Sequence, residues 1–133
     1  MLYTLRALPP IACGVVLSFS ILAAPARADQ ALSGDALRDT VAGRTMVVDT
    51  PVGGLPIRYQ VNGTMTGQSK AIAQFTGTAR DSGTWWVSSN KLCQRWDNWL
   101  DGKQHCMTIR KDGHTSLQWE SNDGRSGTAT VSR

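Results

Sequence analysis

Turn signals at short intervals constrain this chain more than any other feature. After Gly43, the sequences Asn62-Gly63, Asp81-Ser82-Gly83, Ser89-Asn90, Lys111-Asp112-Gly113 and Asn122-Asp123-Gly124 interrupt short runs rich in Val, Ile, Thr and aromatic residues. Gly, Asn and Asp tolerate the left-handed backbone that reverses a chain within a few residues. Most of the runs between such reversals are the length of a strand and too short for a self-supporting helix. Ile57, Tyr59 and Val61 alternate with Arg58 and Gln60, the period of a half-buried strand. Residues 51–56 read as a Gly/Pro-rich break, and residues 71–78, with Phe75 inside, as a further strand. The expected fold is mainly β: a small antiparallel β-barrel or closed meander of seven or eight strands.

One short N-terminal helix precedes the strands. Ser33 is its expected N-cap, and Asp35 and Asp39 lie towards the positive end of its dipole. Leu37 and Val41 share a face, and Gly43 is placed to end the helix. A helix this short must dock on another element to persist.

The first residues read as an export signal. Arg6 gives a positive start, residues 11–24 form an apolar run broken only by Ser18 and Ser20, and Ala26-Arg27-Ala28 is a small-x-small cleavage pattern. The run falls short of the roughly 20 apolar residues a spanning helix needs. Cys13 stands at the front of the run, whereas a lipidation cysteine follows it. The expected division is a signal peptide at 1–28 and a single β-rich domain at 29–133, periplasmic or secreted. Arg6 and Arg27 leave with the signal, so the mature domain is only slightly basic against its 10 Asp+Glu. It has no basic stripe for nucleic acid and no amphipathic basic helix for stable membrane insertion.

The segment 82–106 holds four of the five Trp and the two remaining cysteines, Cys93 and Cys106. In an oxidising compartment their default fate is an intramolecular disulfide. Metal binding by Cys93, His105 and Cys106 is the weaker alternative, because no fourth ligand stands at a recognised spacing. A Cys93–Cys106 bond would set a hairpin register in which Leu92 faces Met107 and Gln94 faces His105. The sulfurs would then lie on the face opposite Leu92 and Met107. Residues 97–102 become the loop, which places Trp99 near its tip.

No catalytic constellation emerges. His105 and His114 are the only histidines, and no nucleophile elbow accompanies them. Asp97, Asp101 and Asp123 are explained by turns. No catalytic residue, metal or cofactor is expected. Strand alternation assigns Trp85, Trp96 and Trp119 to the core. It leaves Trp86 and Trp99, with Arg95 and Lys103, as the candidate binding surface.

Gly83-Thr84-Trp85, Val87, Leu92-Cys93, Arg95-Trp96 and Cys106 resemble the core of a family of small exported proteins seen mainly in alphaproteobacteria. Tyr59 and Asn62-Gly63 resemble that family's hairpin. The resemblance implies a signal peptide, a β-rich fold and a disulfide, and no activity, since the family's function is unknown. The functional expectation is a non-enzymatic binding module for a protein or cell-envelope ligand. The alternatives are a lipocalin-like carrier of a small apolar ligand and a periplasmic lysozyme or protease inhibitor. Tryptophans that fill the interior would exclude a carrier; a lined cavity would favour one.

Overall fold

In a computed structural model of the chain, Pro10 and residues 30–132 are described. The expected signal peptide, Pro10 excepted, and its cleavage site lie outside the described residues. Eight antiparallel strands follow one another around a closed barrel. They are β1 (Arg44–Thr50), β2 (Gly53–Tyr59), β3 (Thr64–Gln68), β4 (Arg80–Ser88), β5 (Lys91–Trp96), β6 (Gln104–Lys111), β7 (Ser116–Ser121) and β8 (Ser126–Val131). Closure comes from β1 and β8, where Met46 pairs with Val131 and Val48 with Ala129. Every strand then has a neighbour on both sides, although β2 meets β3 only over Ile57–Tyr59.

Alternation sets inside from outside. On β3, Met65 and Gly67 are buried while Thr64, Thr66 and Gln68 are exposed. On β8, Ala129 and Val131 are buried while Thr128 and Thr130 are exposed. The interior is apolar and the outer wall is rich in Thr, Ser, Gln and Arg, the reverse of a barrel that faces lipid with its outside. No helix among the described residues is long and apolar enough to cross a membrane.

The helix α1 (Gly34–Val41) closes one end. Its Leu37 and Val41 are fully buried in the core, and it touches β1, β4 and β5. Gly43 follows at a φ of 73°, and its N–H donates to the Tyr59 carbonyl. Ser33 occupies the N-cap position without a side-chain cap bond. The Gly34 N–H instead donates to Asn90 Oδ1, which ties the helix start to the β4–β5 turn.

Three local expectations are corrected. Residues 71–78 are not a strand: Lys70–Thr76 forms a second helix, α2. The Ser69 hydroxyl accepts from the Ile72 N–H, and Gly77 ends the helix at a φ of 81°. These two caps, with Ala71, Ala73 and Gln74 between them, outweigh the β preference of Ile72, Phe75 and Thr76. Asp81-Ser82-Gly83 is not a turn but the start of β4. The break at 51–56 shrinks to a tight turn, and β2 already runs through Pro56. Pro56 fits because β2 pairs with β3 only from Ile57 to Tyr59. Beyond that point no strand requires its missing N–H.

The hairpin register expected from the cysteines holds. Leu92 pairs with Met107, Cys93 with Cys106 and Gln94 with His105. The two sulfurs lie at disulfide distance, on the outer face. His105 belongs to the inner face by alternation, so the metal set of Cys93, His105 and Cys106 does not assemble. Replacing both cysteines by Ala should cost about 3 kcal/mol, the value for closing so short a loop. Thiol titration of the denatured, unreduced domain is expected to find no free thiol, and denaturant unfolding of the double variant checks the magnitude.

Candidate ligand-binding cavity

An eight-stranded barrel is just wide enough to be filled by side chains or to hold one small ligand. What decides between these outcomes is where the large residues lie. Gly67 and Gly127 are inward positions on which indoles rest. A Cβ on Gly67 would come within 2.6 Å of Trp99 Cζ3 and 2.9 Å of Trp96 Cη2. A Cβ on Gly127 would meet three atoms of the Trp119 indole at 2.9–3.0 Å, and Trp119 is its cross-strand partner. The glycines let the rings approach the wall more closely than any other residue would allow. Trp85 is tied back similarly: its Nε1–H donates to the Gln60 carbonyl at 2.8 Å, and its ring meets Tyr59 edge-on at 5.8 Å.

The space left over is a cavity of about 520 Å³. Met46, Ile57, Tyr59, Trp96, Met107 and Ile109 form its walls. It opens away from α1. Thr50 and Pro51 of the β1–β2 turn, Ile72 and Phe75 of α2, Leu100 of the β5–β6 loop and Arg125 of the β7–β8 turn surround the mouth. Phe75 is 74% exposed and Leu100 37% exposed, so the rim itself is apolar.

Trp99 needs the clearest correction. It was expected on the surface, at a loop tip; it is buried, and it forms part of the mouth wall. Asp81, an inward residue at the start of β4, holds it there. The Asp81 carboxylate accepts from the backbone N–H groups of Trp99 (2.7 Å) and Asn98 (2.9 Å) and from the Asn98 side-chain amide (3.1 Å). The chain therefore turns inward through the 3₁₀ turn Trp99–Gly102, with Leu100 and Asp101 in the left-handed region. The Trp99 ring packs on Trp96 at 4.8 Å, and its Nε1–H donates to Thr78 Oγ1 at 3.0 Å. Sequence reasoning missed this because Asp81 and Trp99 are far apart in the chain and Asp-Ser-Gly imitates a turn.

The other surface candidates remain outside. Trp86 is half-buried on the outer wall, directly opposite Cys93. Cys93 is only 2% exposed although it faces outward, so neighbouring side chains screen its sulfur from water, while Cys106 is half-buried. Arg95 and Lys103 are exposed. The structure thus separates Trp99 from Trp86, Arg95 and Lys103. The expected core positions of Trp85 and Trp96 hold; Trp119 is partly buried and lines the cavity.

The cavity has few polar groups. Tyr59 Oη donates to Gln94 Oε1 at 3.0 Å, and burial pushes the phenol pKa up, so it stays protonated and donating. His105 is the cross-strand neighbour of Gln94. His105 Nδ1 lies 3.5 Å from an Asp123 carboxylate oxygen, which also takes Arg125 Nε–H at 2.8 Å. The Arg125 backbone N–H is the main cause that holds Asp123 below its ordinary carboxylate range. Two buried polar atoms lack a hydrogen-bond partner among the described residues: His105 Nε2 and Trp119 Nε1. No group of acidic, His and Cys side chains suited to a metal ion occurs among the described residues.

No known family model, curated protein or solved structure matches the chain.

Asp81 gives a pH-dependent test. Burial pushes its carboxyl pKa up, but hydrogen bonds from Trp99, Asn98 and Ser82 outweigh that, and the net shift is downward. A carboxylate with a lowered folded pKa stabilises the fold fully above its unfolded pKa, about 3.9, and the contribution fades as pH falls through the folded value. Asp81→Asn should therefore cost about 2 kcal/mol at pH 7, the size of a charged hydrogen-bond set. The difference from the parent should shrink as pH falls below the unfolded value of about 3.9 and through the lowered folded one, where the parent carboxyl is itself protonating. Denaturant unfolding of both proteins across this range measures it.

Proposed function

We propose that this is an exported, non-catalytic binding protein that holds a small, mainly apolar molecule inside its barrel. The observation that carries the reading is the cavity. Its volume of about 520 Å³ lies within the range of roughly 300–1,000 Å³ usual for small-molecule sites. Its lining is apolar with a few convergent polar groups, and its mouth is ringed by apolar side chains. A cysteine pair at disulfide distance and an apolar signal-like start support an extracytoplasmic location, periplasmic or secreted.

The helix α2 is the part of the mouth that can yield most cheaply. None of its residues is fully buried, and Ile72 is its link to the core. Elements with so little buried surface open at low cost in free energy. A partner-protein reading has less support. It needs Trp86 and Trp99, with Arg95 and Lys103, on one surface, and Trp99 is buried inside the mouth while the other three stay on the outer face.

Anilinonaphthalene sulfonate, which brightens in apolar sites, tests the reading. The domain should bind it at one saturable site and release it to competing apolar molecules. Val48 is a half-buried wall residue of the cavity, and Val48→Trp places an indole into the space. That variant should bind the dye at least about tenfold more weakly, from lost burial of apolar surface, while its unfolding remains cooperative. Unchanged dye binding by Val48→Trp, with loss of binding by Phe75→Ser instead, would assign the dye to the outer surface and contradict the proposal.

A further inference from the structure

We infer that the open end of the barrel docks reversibly on a lipid bilayer that carries anionic phospholipid. The docking rests on surface residues alone, so it goes beyond the carrier reading and stands or falls without it. The exposed large apolar side chains among the described residues are Val52, Val61, Phe75 and Leu100. Three of them stand at the open end, on three separate elements: Val52 in the β1–β2 turn, Phe75 on α2 and Leu100 in the β5–β6 loop. Val61 is at the other end, in the β2–β3 turn beside Gly43. Apolar tips gathered around one opening, rather than scattered singly, mark a contact surface.

Charge identifies the partner. From Pro51 to Trp96, a stretch that holds β2, β3, α2, β4 and β5, the charged residues are Arg58, Lys70, Arg80, Lys91, Arg95 and a single acid, Asp81. Asp81 is buried, with its carboxylate engaged by Trp99 and Asn98. None of the five cations makes an ion pair among the described residues, because both ion pairs there belong to Asp123. This side of the barrel therefore exposes positive charge only; the acids of the open end, Asp49, Asp97, Asp101 and Asp123, lie outside the stretch. Where β2 and β3 part beyond the Ile57–Gly67 pair, Arg58 and Arg80 line a cleft in the outer wall with Thr66, Gln68 and Ser82. Gln68 ends β3 and Arg80 begins β4, so the cleft lies at the foot of α2. Two guanidiniums beside hydroxyls suit the oxygens of a phosphate headgroup. A bilayer meets both features at once, the apolar tips with acyl chains and the cations with phosphates. A soluble polyanion would leave Phe75 in water, and an apolar protein surface would leave the arginines without counter-charge.

Co-sedimentation of the exported protein with vesicles tests the docking. The vesicles are phosphatidylcholine alone, or equal parts of phosphatidylcholine and phosphatidylglycerol. The protein should bind the mixed vesicles and not the neutral ones, and raised salt should release it. Arg58→Gln together with Arg80→Gln should weaken that binding by at least about tenfold, since each cation near an anionic surface contributes about fivefold. Phe75→Ser should weaken it by about fivefold or more through lost apolar contact, while Val61→Ser leaves it unchanged. All of these variants should unfold close to the parent's denaturant midpoint, because the replaced side chains are exposed. Binding that needs the arginines but not Phe75, and that dextran sulfate shows equally, would identify a soluble polyanion and overturn the bilayer. Equal losses from Val61→Ser and Phe75→Ser would overturn the assignment to the open end. No binding to either vesicle, or equal binding to both, would overturn the docking itself, and the dye experiment would still decide the cavity on its own.

Discussion

Closure of the barrel through β1 and β8 is the constraint on which the rest of this structure depends. Once eight strands form a ring, every inward side chain competes for one fixed interior. The ring also removes edges, so α1 and α2 serve its ends rather than its sides. α1 supplies two fully buried residues and seals one end. α2 supplies none and leaves the other end open.

The second consequence concerns volume. Tryptophans inside a small barrel would ordinarily consume it. Here three of the four inward indoles are offset by an absent side chain: Gly67 under Trp96 and Trp99, and Gly127 under Trp119. The indoles thereby lie against the wall, and the interior keeps about 520 Å³. The sequence Ser-Gly-Thr occurs at both 82–84 and 126–128. Both copies open a strand, β4 and β8, which stand four strands apart in the ring, and both place their glycine inward. The proposed function rests on this geometry: a hollow, apolar, one-ended container is suited to sequestering a molecule that water would reject.

Much of the fold could be read from the chain because it is locally encoded. Asn62-Gly63 and Ser89-Asn90 mark reversals, Leu37 and Val41 give α1 its buried face, and two cysteines fix the β5–β6 register. The helix α2 was missed although Ser69 and Gly77 announce both its ends, because Ile72, Phe75 and Thr76 suggest a strand. Trp99 was misplaced because the force on it is non-local. A carboxylate on β4 reaches across the mouth to two backbone N–H groups of the β5–β6 loop. The cavity was not legible at all. No stretch of sequence reveals that a glycine on one strand will receive an indole from another until the register is known.

A carrier requires the barrel interior to be an accessible apolar space rather than a packed core. A crystal structure of the mature domain under xenon pressure tests this most directly, because xenon fills apolar cavities and avoids close-packed interiors. Xenon should appear inside the barrel, between Met46, Ile57, Trp96, Met107 and Ile109, with no comparable site beside α1. An interior without xenon, in which Trp96, Trp99 or Trp119 has swung off its glycine to fill the space, would contradict it.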